Sequence, residues 1–366
     1  MTKTQHIRKF RSQGPSPSRK LLFRVLAALL PILGLEAAAR VYWVQFVEPR
    51  PSDSDLYQEL LGEKVLNDEV PYQFFPNRTF DVASTPTSTN NLRLRGDYDI
   101  NLSVNYEGTR ILCIGDSVTF GYAVSGNAAA YPAVLERNLQ RRGVTCQVLN
   151  GGMPRFRIEH LAILFDDRLR QYVSDVVIIL GGWNNANDHV LRPIADTSWR
   201  GTLEKHWFML KLVRRANVLP QLGERQHAAA LIDAAGLEKY NSSLRRLIAS
   251  ARDSGAEPVL CTLPHFFHNL DSQVAKDKAA TFTPVGTLEQ LAQVADAMND
   301  EIRSVGLDAN VPVIELTSIN EHRLFGDAIH PNDEGSAMIA QLVEAYVEQL
   351  SQLFPAATRP RRQSNR

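Results

Sequence analysis

The chain has 366 residues, 44% of them apolar, with 40 basic and 40 acidic side chains. That is enough apolar material for the core of a large domain, which excludes a wholly disordered chain, and the balanced charge leaves no overall footprint for nucleic acid. Three cysteines, Cys113, Cys146 and Cys261, are too few and too scattered for a disulfide framework or a paired-cysteine metal site, and each falls in an apolar run that suits a small core residue.

Residues 1–20 carry Lys3, Arg8, Lys9, Arg11, Arg19 and Lys20 and no acid, and a largely apolar stretch, 21–47, follows. A basic flank before an apolar helix predicts a cytoplasmic tail and a single membrane anchor, with the rest of the chain exported. A span needs about 20 apolar residues, and this one reaches that length only by including Arg24, Glu36, Arg40 and Gln45. Glu36 and Arg40 stand i, i+4, so a helix places them on one face, where they can pair. Two readings compete: a cleaved signal peptide with residues 25–35 as its apolar core and Ala37-Ala38-Ala39 as the cleavage site, and a peripheral amphipathic helix.

Residues 48–108 are polar and rich in Pro, Asn, Ser and Thr without sustained periodicity, the pattern of a stalk or irregular preface. From 109 to 354 short apolar runs alternate with longer helical stretches, which predicts an α/β domain on a parallel sheet. Strands are expected at 110–114, 144–149, 175–180, 258–262 and 311–316. The run Val176-Val177-Ile178-Ile179-Leu180 suits a strand covered by helices on both faces. Helices are expected at 131–142, 158–172, 237–254, 287–305 and 332–353, the last opened by Asn332 or Asp333 and closed before Pro355. Residues 191–235 interrupt the alternation with Trp199, Trp207, Phe208 and basic side chains, and inserts of this length form lids or binding walls. The tail, 355–366, reads as disordered and basic.

The sharpest local feature is Ile111-Leu112-Cys113-Ile114-Gly115-Asp116-Ser117-Val118-Thr119-Phe120-Gly121. An apolar strand running into Gly-Asp-Ser puts Ser117 at the carboxyl end of a strand, where open α/β sheets hold their ligands. Its backbone N–H is free there to meet a developing anion. A serine capping a helix start explains the tripeptide equally well. Far downstream stands Gly326-Asp327-Ala328-Ile329-His330-Pro331-Asn332. Asp327 and His330, three apart, can meet across one turn, so that the carboxylate orients the imidazole and the other ring nitrogen faces a serine. A surface Asp-His pair ahead of a helix is the plainer alternative.

Together with two blocks between them, these motifs resemble the GDSL/SGNH hydrolase superfamily over residues 109–353. Asn150-Gly151-Gly152 follows the second expected strand and Gly181-Gly182-Trp183-Asn184 the third. The resemblance implies Ser117 as nucleophile, Asp327 and His330 as the base pair, and the N–H groups of Ser117 and Gly152 with the Asn184 amide as oxyanion donors. Gly151 is the fallback for Gly152. It further implies a flavodoxin-like three-layer α/β/α fold on a central parallel sheet of about five strands, which the amino-terminal membrane helix expected from the composition of residues 21–47 would precede. The activity implied is cleavage of an O-acyl ester through an acyl-serine, with no metal or organic cofactor. An O-acyltransferase acting on carbohydrate through the same triad, and a non-catalytic binding protein of the same fold, are the alternatives. The expected partners are a small-molecule, glycan or lipid ester and the membrane, and no nucleic acid. The family often reads Gly-x-Asn-Asp in the third block, whereas Asn185 replaces the acid here, which puts the support of that loop in question.

Other polar residues have plainer expectations. Asn187, Asp188 and His189 suit a polar loop at a strand end, and Trp183 a core position or pocket wall. His265 and His268, flanking Phe266 and Phe267 after the fourth strand, can line the substrate mouth. His160, His206, His227 and His322 show no metal-ligand spacing.

Overall fold

Five short runs form the strands of one parallel sheet, the third of them (VVIIL) almost wholly β-branched: β1 (Thr109–Gly115), β2 (Cys146–Gly152), β3 (Val176–Leu180), β4 (Glu257–Cys261) and β5 (Val313–Ile314). The computed structural model describes residues 17–42, 62–63, 70–82, 85–102, 106–193, 207–208, 230–282 and 287–353. Spatial order is β5-β4-β3-β1-β2, so the strand order reverses between β1 and β3. Every residue of β3 is buried, as is β1 from Arg110 onward, which is why both sequences are near-continuously apolar.

The main helices among the described residues are α1 (Pro17–Tyr42), α2 (Ser117–Phe120), α3 (Tyr131–Arg141), α4 (Ile158–Asp167), α5 (Ala234–Asp253), α6 (Gln273–Ala279), α7 (Leu288–Ala309) and α8 (Asp333–Leu353). Around the sheet they pack as two groups, α4 with α5 and α5 with α7, and separately α3 with α8. The result is the expected flavodoxin-like α/β fold.

Differences from expectation have local causes. β2 runs on through Asn150-Gly151-Gly152, which the sequence suggests as a post-strand loop, because pairing with β1 continues to Gly115↔Gly152. The helix expected over 158–172 ends at Asp167 and tightens into a 3-10 turn, Leu169–Tyr172, closed by Val173 in the left-handed region at φ 49°. α6, at 7 residues, spans too few turns to show a period in the sequence; it is opened by Ser272, whose hydroxyl accepts from Ala275 N–H at 3.1 Å.

The segment preceding β1 contributes two antiparallel pairs, Gly62–Glu63 with Gln73–Phe74 and Thr79–Val82 with Thr85–Ser88. Its Val70, Tyr72, Phe74, Val82 and Leu94 are buried in the same core as the sheet. Phe74 stacks on Phe120 at 5.4 Å between centroids and Tyr72 meets Phe156 edge-on at 5.1 Å. The ends of the insert are held by a short antiparallel ladder, Leu191–Pro193 with Ala230–Ile232. Trp199, His206, His227 and the tail 355–366 lie outside the described residues.

The chain divides into two units, Met1–Arg50 with Ala195–Glu224, and Pro51–Ile194 with Arg225–Arg366. The second carries the sheet. In the first, α1 includes a 20-residue stretch, Phe23–Tyr42, long and apolar enough to cross a membrane, a test that a signal sequence also passes. Glu36 and Arg40 both engage Phe208: Glu36 Oε1 accepts its backbone N–H at 2.5 Å, and the Arg40 guanidinium lies 5.2 Å from its ring centroid.

Candidate active site

Where β1 ends, the chain turns at once into α2, and Ser117 is its first residue, only 7% exposed. The turn requires Gly115, since a Cβ there would lie 1.8 Å from Leu180 O of β3 and 2.2 Å from Thr119 Oγ1. Asp116 caps α2: Oδ1 accepts from Val118 N–H at 3.0 Å. Its other oxygen reaches across to the end of β3 and accepts from Gly182 N–H at 3.0 Å and Trp183 N–H at 3.2 Å. The Asp116 side chain therefore ties the serine turn to the Asn184 turn. Burial pushes its carboxyl above the ordinary value, opposed by those N–H groups and by His330.

The Asp327–His330 loop is closed by an antiparallel bridge between Phe325 and Pro331, with Gly326 N–H donating to His330 O at 2.8 Å. Asp327 Oδ1 accepts from the N–H groups of Ile329 and His330 at 3.0 and 2.9 Å. Its Oδ2 lies 2.7 Å from His330 Nδ1, and His330 Nε2 lies 2.7 Å from Ser117 Oγ. Burial alone would raise the Asp327 carboxyl, but the imidazole and the two N–H groups hold it below its ordinary value. Two side chains 213 positions apart are thus joined in one hydrogen-bonded line. The Tyr122 ring lies against the imidazole, 4.7 Å between centroids. Asn332 caps α8 by accepting from Glu334 and Gly335 N–H, both at 3.1 Å, which fixes the loop's exit.

Asn184 stands in the turn after β3, its amide donating one hydrogen to Phe156 O at 3.0 Å. Ser117 N–H, first in its helix, has no hydrogen-bond partner among the described residues. Gly152 sits under α2, where a Cβ would be 2.1 Å from Phe120 N, and its N–H donates to Asn150 Oδ1 at 3.0 Å. Gly151 is a sheet residue paired with Ile114.

Asn185 is fully buried and supported on both sides. Its oxygen accepts from Ile158 N–H at the start of α4 (2.9 Å), and its amide donates to Glu159 Oε2 (2.8 Å). Glu159 also meets Arg157, Lys239 and His189 at 2.8, 3.0 and 3.2 Å. Burial works to raise the Glu159 carboxyl, yet its own N–H, Asn185, Lys239 and Arg157 outweigh it and hold it down to about 2. The loop keeps its support without the acid, and a carboxylate at 185 would face that of Glu159. Asp188 pairs with Arg157 at 3.1 Å, so the polar residues after Asn184 belong to this charged cluster.

His265 is 5% exposed beside Trp183, and burial pushes its imidazole down to about 4. Among the described residues, the group with metal-ligand spacing is His265, His268 and Asp296, whose ligand atoms lie within 4.8 Å of one another; His268 is already paired with Asp296 at 2.9 Å. The three cysteines are buried and unbridged.

The model of the GDSL-like Lipase/Acylhydrolase family matches residues 113–338, and the chain belongs to that family. It is accordingly an ester-hydrolysing enzyme. No curated protein matches the chain. Among solved structures it is similar to an acetyl xylan esterase (14% identity, 65% of this chain and 99% of that one, TM-score 0.42). It is also similar to a lipase/acylhydrolase from Enterococcus faecalis (17%, 66% and 96%, TM-score 0.43) and a psychrotrophic esterase from Pseudoalteromonas sp. (12%, 67% and 99%, TM-score 0.42).

Sequence reasoning left several of these partners unseen. Asp116 is visible in the motif, but its reach to β3 is not, and Glu159, Asn150 and Tyr122 acquire their places only through folding. The one available signal is Asn185 itself, a departure from the family pattern that asks for a compensating partner.

Proposed function

We propose that the protein is a serine esterase or deacylase that cleaves O-acyl esters through an acyl-serine at Ser117. The observation that carries this is the line from Asp327 through His330 to Ser117, 2.7 Å at each step. With Nδ1–H donated to Asp327, Nε2 is the acceptor and takes the Ser117 proton as Oγ attacks the ester carbonyl. Asp327, held ionised, stabilises the imidazolium, which then protonates the leaving alcohol as the C–O bond breaks. Water, deprotonated by the same nitrogen, attacks the acyl-serine and releases the acid.

The carbonyl oxygen gains charge in both steps and needs donors already in place. Ser117 N–H and the second hydrogen of the Asn184 amide supply two. Gly152 N–H can join them only by giving up Asn150 Oδ1. The chemistry calls on no metal or organic cofactor. The hydrolase domain carries its sheet and site within residues 109–354 and takes part of its core from Val70, Tyr72, Phe74, Val82 and Leu94; α1 acts as a single anchor behind a cytoplasmic basic tail, and the site faces away from the cytoplasm. An exported site of this kind meets O-acylated carbohydrate, envelope polymer or lipid first.

A fluorophosphonate probe should label the wild-type protein, and not Ser117→Ala or heat-unfolded protein. Hydrolysis of p-nitrophenyl acetate should fall at least about 1,000-fold in Ser117→Ala. Labelling or turnover that survives the substitution overturns the mechanism.

A further inference from the structure

The nucleophile turn has a support that lies outside the matched family region. Arg95, 5% exposed, comes from the segment preceding β1, and its backbone bridges Thr89 on one side and Asn150 of β2 on the other. Its Nη1 donates to Phe120 O at 2.8 Å and Gly121 O at 2.6 Å, and its plane lies 4.7 Å from the Phe120 ring centroid. These carbonyls end α2, and no further helical turn can satisfy them, because Gly121 swings into the left-handed region at φ 89°. Asn150 Nδ2 adds a bond to Phe120 O at 3.2 Å.

The guanidinium is itself oriented. Nε donates to Asn127 Oδ1 at 2.8 Å, and the Asn127 amide in turn donates to Ser88 O at 3.1 Å and Asp97 Oδ1 at 2.5 Å. Burial lowers the Arg95 pKa to about 10, with Asp97 opposing, so the group stays charged at neutral pH. The remaining nitrogen, Nη2, has no partner among the described residues, and Arg95 lines a cavity of about 150 Å³, roomy enough for water.

We propose that Arg95 is a positioning residue for the nucleophile: its planar fork pins the end of α2 and thereby sets the angle at which Ser117, the first residue of that one-turn helix, meets His330. The inference rests on Ser117 being the nucleophile. An arginine suits this task because donors leave Nε and Nη1 in one fixed plane, whereas a lysine ammonium is a point charge on a flexible stem.

The test uses the full-length protein in detergent and compares wild type, Arg95→Ala and Arg95→Lys. It reads the phosphonylation rate of Ser117, kcat and KM for p-nitrophenyl acetate, and the thermal midpoint. Misplacing a reacting atom by about 1 Å can cost roughly 100-fold, so phosphonylation and kcat should fall by that order in both variants while KM stays within about twofold. Added methylguanidinium should restore part of the rate to folded Arg95→Ala, which a purely structural loss would not show. Wild-type phosphonylation in either variant overturns the inference, as does a loss that tracks only the unfolded fraction and ignores methylguanidinium. Should Arg95→Ala fail to fold, Arg95→Lys decides alone. A wild-type protein that takes no probe defeats the reading of Ser117, and this inference with it; a labelled wild type beside undiminished variants defeats this inference only.

Discussion

Asp116 and Asn184 show how much of the site is arranged by single side chains. Asp116 is wholly buried and accepts from three backbone N–H groups, and the two on Gly182 and Trp183 tie the serine turn to the turn that carries Asn184. Removing one oxyanion donor typically raises a barrier by about 3 kcal/mol, so Asn184→Ala should lower kcat about 100-fold with the fold intact by circular dichroism. Unchanged turnover would dismiss Asn184 from the oxyanion hole. Ser117, Asp327 and His330 were legible in the sequence because each owes its direction to a few neighbours: a strand running into Gly-Asp-Ser, and a carboxylate and imidazole three positions apart. Arg95, Asn150 and Glu159 were not. Their partners are distant in the chain, and nothing in a single sequence couples Arg95 to Phe120 or Asn185 to Glu159.

Among elements, the junction of β3 with α4 rests on a neutral amide facing a carboxylate. The sequence raised the question of what supports this loop without an acid, and Glu159 is the physical answer. Asn185→Asp would set two carboxylates against each other and should cost on the order of 1–3 kcal/mol at neutral pH. The sign follows from protonation. In the wild type, Glu159 is depressed to about 2, so its contribution is complete above the unfolded value of about 4.3 and is lost as pH falls through about 2. In the variant, the shared site has one raised pKa, so its fold is favoured by protonation and weakened as pH rises. Thermal melts should show a gap between wild type and Asn185→Asp that is wide at pH 7.5 and narrower at pH 4.5; a gap independent of pH would rule out charge as the cause. The five strands of the parallel sheet and the longer helices were visible from their apolar runs and periodicity, whereas the short antiparallel pairs at 62–88 and at the base of the insert were not. The end of β2 was not, because glycine and asparagine read as loop until pairing with β1 carries the extended backbone through them.

For the molecule as a whole, the polar composition of residues 48–108 conceals how deeply part of that segment is built into the catalytic unit. Tyr72, Phe74, Val82 and Leu94 are buried in the core, and Tyr72 donates its hydroxyl to Pro154 O at 2.8 Å. Apolar positions spaced among Pro, Asn and Thr give no helical or strand period, which is why they escape a periodicity reading. A fragment beginning at residue 49 should fold cooperatively and hydrolyse p-nitrophenyl acetate. One beginning at residue 109, although it spans the matched family region, should aggregate or melt without a transition, since each large buried side chain removed costs about 2–5 kcal/mol. Equal melting of the two fragments would show the segment to be dispensable.

The ladder between Leu191–Pro193 and Ala230–Ile232 brings the two ends of the insert to adjacent rungs. A loop closed at its base in this manner is interchangeable: its contents can be lengthened, shortened or rewritten by mutation while the crossover from β3 to β4 keeps its path.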